Sequence, residues 1–269
     1  MTLLYLFLVI TTIIILYPLA WMIGAAFKPD AEILSVRLNP IPLNPTLDPM
    51  KAMFDTIPVI RNIFNSFVVA ISSTALSLLF TSLGGYAFAK FKFPGNRILF
   101  YFILATMLIP PELNLVPSFL IMVRLGWVNT FLPLIIPGAA SAFGIFLMRQ
   151  YCASIPTELL EAARLDGASE FGVYWRIVLP IMSPALAALG TLNFVGSWND
   201  FVWPLIILRD PSIQTIMVSI ARLPTAQGYN TPWGVIVAGA TVAVIPTLLV
   251  FIFAQRYIVS GLTAGSIRG

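Results

Sequence analysis

Residues 161–180 read EAARLDGASEFGVYWRIVLP. Just before them, Ser154, Pro156 and Thr157 are helix-start signals. Glu158 and Glu161 fall in the first turns, where the helix dipole favours anions, and Arg164 falls near the end, where it favours cations. Gly167 follows as a C-cap able to take positive φ. Ser169-Glu170 can restart a second helix that leads to Pro180. The stretch therefore predicts two short helices meeting at a glycine corner. Long apolar runs flank it on both sides, so the corner is read as a loop between membrane spans and the fold as all-α.

Composition points the same way. Of 269 residues, 59% are hydrophobic and 10% charged, against about 25% charged in soluble domains. This is the balance of an integral membrane protein forming one bundle. The net charge of +4 comes from 15 basic and 11 acidic residues. In this class it reflects Lys and Arg flanking the membrane, not nucleic-acid binding. Cys152 is the single cysteine, so no intrachain disulfide forms. There is no histidine, which removes His-metal sites, Ser-His-Asp triads and His proton relays.

A spanning helix needs about 20 apolar residues. Residues 2–27, 62–89, 125–148 and 223–255 are charge-free, the last with its apolar core starting near Trp233. Residues 98–123 carry only Glu112, and 177–208 only Asp200 and no other charge before Arg209. These runs predict six transmembrane helices with both termini on one side. The first run is longer than a signal-peptide core and lacks a basic lead, so it is read as a retained span. Residues 90–97 (KFKFPGNR) hold Lys90, Lys92 and Arg97 and no acid. That places them inside, with the glycine corner and both termini. Trp21, Trp127, Trp203, Trp233 and Trp175 fall near predicted span ends, as an aromatic belt requires. Trp198 lies deeper. Residues 28–61 hold six prolines, which exclude a continuous helix, and form a long external loop. Residues 209–232 form a second.

The corner resembles the cytoplasmic EAA loop of permease subunits in binding-protein-dependent ABC importers. Glu161-Ala162-Ala163, Gly167 and Ile177-Val178-Leu179-Pro180 stand at the family spacing. Other segments resemble carbohydrate permeases of the maltose-importer type. They are Phe27-Lys28-Pro29, Asn65-Ser66, Ser197-Trp198-Asn199-Asp200-Phe201, Gln255-Arg256-Tyr257, Gly261-Leu262-Thr263-Ala264-Gly265 and the terminal Arg268-Gly269. The resemblance implies a type I ABC importer permease fold: one transmembrane domain over 1–269, with the coupling loop at about 150–176 and external loops at about 28–61 and 209–232. It implies a bacterial plasma (inner) membrane location. It also implies a second permease subunit, two cytoplasmic ATPase subunits and an external or periplasmic solute-binding protein as partners. Glu161, Ala162, Ala163, Asp166 and Gly167 are then the residues that couple to the ATPase. No G-x-x-x-x-G-K-[ST] is present. ATP and Mg are thus expected on the partner ATPases, with no cofactor and no catalysis in this chain.

Polar residues inside the spans are the candidates for a substrate path. Asn193, Ser197 and Asp200 stand at relative positions 0, 4 and 7, one face of a helix, with Asn199 beside them. Asn193 and Ser197 either line a path or hydrogen-bond helices together. Asp200 either lines the route, closes a gate near its outer end, or ties helices. Glu112 follows Pro110-Pro111, which break the helix; it either lines a cavity or sits near the outer surface. Trp198 either stacks on a sugar face or packs in the core. Gly84-Gly85-Tyr86 is read as close helix packing. The function expected is ATP-driven import of a carbohydrate. The alternatives are another solute class, such as a phosphorylated polyol or an amino acid, and an ATP-independent secondary transporter.

Overall fold

The computed structural model describes residues 1–35, 39–226 and 233–263. Residues 264–269, with Gly265, Arg268 and Gly269, and the loop residues Gly228 and Pro232 lie outside the described residues. The main helices are α1 (Thr2–Ala25), α2 (Asp48–Thr56), α3 (Val59–Lys90), α4 (Asn96–Thr106), α5 (Leu115–Arg124), α6 (Ala142–Ala153), α7 (Thr157–Leu165), α8 (Glu170–Val173), α9 (Ser183–Asn199), α10 (Val202–Ile207), α11 (Ile216–Ala226) and α12 (Trp233–Thr263). No strand forms among the described residues. The fold is all-α and polytopic.

Three helices are each long and apolar enough to cross a membrane: Thr2–Ala25, Val59–Lys90 and Trp233–Gln255. Two further apolar runs are bent. Asn96–Thr106 meets Pro111–Arg124 at 94°. Pro110 and Pro111 supply no backbone donors there, and a short 3-10 turn over Pro111–Asn114 carries the bend. Glu170–Ile181 meets Ser183–Asn199 at 76°. Pro184 has no N–H for the carbonyl four residues earlier, and the preceding turn is a π-helix over Tyr174–Val178.

The fourth apolar run, 125–148, is not one continuous helix. Gly126 and Asn129 take positive φ (67° and 63°). A four-residue helix follows at Leu132–Ile135, and α6 begins only at Ala142, capped by Ser141, whose hydroxyl accepts from the Gly144 N–H at 3.1 Å. The reason is local. A helical Pro133 carbonyl would need the N–H of residue 137, which is proline. The Trp203 indole donates to that carbonyl instead, at 3.0 Å. Trp203, expected as a belt residue, is here the donor that satisfies a broken helix.

The chain forms two compact units: Met1–Ser66 with Asp210–Leu248, and Phe67–Arg209 with Leu249–Gly269. In the first, the proline-rich loop is held by a buried lysine. Lys28 is 1% exposed. Its ammonium donates to the Asn39 carbonyl at 2.5 Å and pairs with Glu32 at 3.4 Å. Glu32 in turn accepts from the N–H groups of Leu43 (3.0 Å) and Asn44 (3.3 Å). The Leu43 bond, more than any other contact, holds its carboxyl below the ordinary range. Asp30 accepts from the Gly234 N–H at 2.8 Å, at the start of α12. Asn65 donates to the Ser212 and Gln214 carbonyls, both at 3.0 Å, and Ser66 accepts from the Ile216 N–H. Asn62 donates to the Ser219 hydroxyl. Phe27-Lys28-Pro29 and Asn65-Ser66 therefore serve to hold this unit together.

In the second unit, α3 and α6 pack closely at Gly85. A Cβ there would lie 2.4 Å from the Met148 Cβ. The core continues through Cys152, Ile155, Leu160, Val173, Tyr174, Val178, Met182 and Leu189. It joins the membrane helices to the glycine corner.

Candidate functional site

The corner is built as its residues dictate. Helix α7 starts after Pro156, which serves as N-cap with no side-chain bond. Ser154, expected to take part in the start, instead donates to the Tyr151 carbonyl at 2.8 Å. At the other end Asp166 is the C-cap and Gly167 turns the chain with φ +84°. No atom lies within 4 Å of a Cβ built on Gly167. Backbone conformation, not space, therefore demands glycine. Ser169 caps the next helix and accepts from the Gly172 N–H at 3.2 Å.

One face of α7 is anchored and the other is free. Leu160 is fully buried, and Ala163 packs against the same core. Glu161, Ala162, Asp166 and Gly167 are exposed. Leu165 is 89% exposed. The two helices are clamped across the turn by Arg164. Its Nε and Nη2 donate to the two Glu170 oxygens at 2.7 and 3.2 Å. That bond holds the Glu170 carboxyl below its ordinary range and raises Arg164. Helix α3 grips the corner at three points. The Tyr86 hydroxyl donates to Glu170 at 3.3 Å, the Ser82 and Tyr174 hydroxyls meet at 2.7 Å, and Lys90 donates to the Ile155 carbonyl at 2.5 Å. Sequence reading missed this grip. A Ser-Tyr-Lys series at four-residue spacing (82, 86, 90) was its only signal.

A second feature is a pocket of about 370 Å³ whose lining mixes polar side chains with the apolar Leu134 and Leu192. Asn193, Ser197 and Asp200 line it from the α9 side, and Ser73, Ser77 and Ser141 line it from α3 and the α6 cap. Asn193 donates to Ser77 at 2.9 Å, and Ser73 donates to Ser197 at 3.0 Å. Each of these two side chains thus ties helices together and also faces the pocket. Asp200 shares the pocket without sharing the helix. Helix α9 ends at Asn199, and Asp200 is extended (φ −64°, ψ 129°). Its carboxylate accepts from the N–H groups of Trp203 and Phe201, a local turn that competes with helix continuation.

The other expected path residues do not join the pocket. Asn199 is exposed and donates to the Val195 carbonyl at 3.0 Å. Trp198 is 1% exposed. It packs between Phe67 (centroids 4.8 Å) and Phe194 (5.9 Å). Glu112 is exposed in the 3-10 turn of the 94° bend. Ser73, Ser77 and Ser141 were missed, because a serine in an apolar helix carries no signal until its neighbour is known.

Comparison with known proteins agrees with this architecture. Residues 78–264 match the family described as binding-protein-dependent transport system inner membrane component. The chain is 37% identical to the arabinooligosaccharides transport system permease protein AraQ of Halalkalibacterium halodurans, over 95% of this chain and 92% of that one. It is 32% identical to the sn-glycerol-3-phosphate transport system permease protein UgpE of Yersinia enterocolitica, over 95% and 93%. Its fold matches that of a bacterial ABC transporter involved in import of the acidic polysaccharide alginate, with TM-score 0.85, 24% identity and 95% of each chain covered. With the family match over most of its length and the all-α membrane fold, the chain belongs to the binding-protein-dependent transport system inner membrane components, as a permease subunit of the ABC importer type.

Proposed function

We propose that this chain forms one half of the membrane channel of an ATP-driven importer for a neutral carbohydrate. Its corner transmits the work of separate ATPase subunits, which hold ATP and Mg. The residues that meet the ATPase are Glu161, Ala162, Ala163, Asp166 and Gly167. The observation that carries this reading is the two-sidedness of α7. Leu160 is fully buried while Leu165, five residues on, is 89% exposed. Leu159, Ala162 and Leu165, three residues apart along one face, are exposed together, and such an apolar patch outside the spans suits a partner protein. A second permease subunit and an external binding protein complete the assembly. Residues 90–97 and both termini face the cytoplasm.

The choice of a neutral sugar rests on the pocket. Its lining offers hydroxyls, one amide and one carboxylate, and no Lys or Arg. Such groups suit a polyhydroxylated solute. A phosphate ester, as carried by the UgpE relatives, would find no counter-charge among them and would meet Asp200. The AraQ relatives, named for arabinooligosaccharides, support the same choice. The test is uptake into proteoliposomes holding the assembled importer and its binding protein. Neutral oligosaccharide should enter only with ATP. Entry without ATP, or entry of sn-glycerol 3-phosphate in place of the sugar, would overturn the reading.

A further inference from the structure

The loop between α3 and α4 carries a feature that transport leaves unexplained. Residues 88–98 enclose a shallow groove of about 610 Å³. Its walls are the rings of Phe88, Phe91 and Phe93 and the side chain of Ile98, and its rim carries Lys92 and Arg97. No acidic residue lines it. The shape is held by the fold. Gly95 turns the chain at φ +81°, and the Asn96 amide donates to the Phe91 carbonyl at 2.9 Å.

The nearby cations divide into two kinds. Lys90 is committed to the Ile155 carbonyl. Arg149 donates to the Phe88 carbonyl at 3.4 Å and lies 4.0 Å over the Phe100 ring. Lys92 and Arg97 are exposed, and neither belongs to an ion pair found among the described residues. Arg97 lies over the Tyr101 ring at 5.6 Å, which orients it without neutralising it. Below the rim, α4 exposes Ile98 (75%), Phe102 (70%) and Tyr101 (55%). The groove thus joins an unneutralised basic rim to an apolar stripe leading into the hydrocarbon.

From this juxtaposition we infer that the groove binds one anionic phospholipid of the inner leaflet, its phosphate between Lys92 and Arg97 and an acyl chain along Ile98 and Phe102. Charge complementarity selects the headgroup, and the apolar stripe selects a lipid over a soluble anion. Basic pockets on the cytoplasmic side of membrane helices bind such headgroups. Placement in the inner leaflet rests on the proposed orientation; the binding itself does not. Thiol labelling of the loop in cells tests the orientation separately.

The experiment uses the assembled importer in nanodiscs containing equal phosphatidylglycerol and phosphatidylcholine, with retained lipid read by native mass spectrometry. The wild type should retain phosphatidylglycerol preferentially. Lys92→Gln with Arg97→Gln should lower that preference on the order of tenfold. Lys92→Arg with Arg97→Lys, which keeps both charges, should preserve it and guards against misfolding. Equal retention of the two lipids by the wild type would overturn the inference. So would displacement of lipid by millimolar inorganic phosphate, which would make the site one for a small anion. Loss of ATPase subunits from the Gln pair at unchanged lipid preference would assign the rim to a protein contact and overturn it as well.

Discussion

Tyr86 donates its hydroxyl to Glu170 at 3.3 Å, which ties the second helix of the corner to membrane helix α3. The same helix bears Ser73 and Ser77, the partners of Ser197 and Asn193 in the pocket. One helix therefore touches both the glycine corner and the residues that line the pocket.

Removing that tie should weaken coupling more than folding. Tyr86→Phe and Glu170→Gln should each cost about 0.5–1 kcal/mol and should be non-additive in a double-mutant cycle of thermal unfolding. The clamp also sets a pH dependence. Arg164 holds the Glu170 carboxyl below its ordinary value of 4.5. Its contribution is therefore present above that value and is lost as pH falls through the lowered one. Melting of the wild-type complex should drop slightly below about pH 4.5, and Arg164→Gln should abolish that increment. Simple additivity of the first two variants would show that they do not act as one latch.

The glycine corner predicts an uncoupled phenotype. Gly167 sits at φ +84°, which proline cannot reach and alanine reaches at a cost of about 1 kcal/mol. Gly167→Ala should mildly reduce ATP-driven uptake. Gly167→Pro, and independently Glu161→Lys, should leave the protein inserted but abolish uptake and reduce co-purified ATPase. Normal uptake and normal ATPase yield in both would remove the corner from the coupling path.

Orientation is checked by labelling. Cys152 is fully buried, so the native thiol is silent. Pro94 is exposed in the basic loop. In intact cells a Pro94→Cys protein should resist an impermeant maleimide and should react once the membrane is opened. Prompt labelling of intact cells would invert the topology.

The pocket separates tie from path. Asn193→Leu removes the donor to Ser77 and should cost about 1 kcal/mol, with uptake falling in proportion. Asp200→Asn keeps an oxygen for the Phe201 and Trp203 N–H groups, so thermal stability should change little. Uptake should nonetheless fall severalfold if the carboxylate faces the moving sugar. Unchanged uptake at unchanged stability would leave Asp200 as a turn residue alone.

By itself the sequence determined the membrane class, the all-α fold and the corner. Those follow from one-dimensional signals: charge-free runs, Ser169 before Glu170, and Gly167 where a helix must stop. It also marked Pro110-Pro111 as a break, because a missing N–H is a property of the residue. Tertiary structure decided what depends on a distant neighbour. Broken backbone in the fourth run finds its donor in Trp203, some 70 positions on. Asp200 leaves the helical stripe because local N–H groups claim its carboxylate, yet it returns to the same pocket in space. Trp198 is taken by Phe67 and Phe194, and Glu112 stays exposed at the bend. Pairings such as Asn193 with Ser77 join residues 116 positions apart. Helix packing brings them together, and no local pattern encodes which serine a given asparagine will meet.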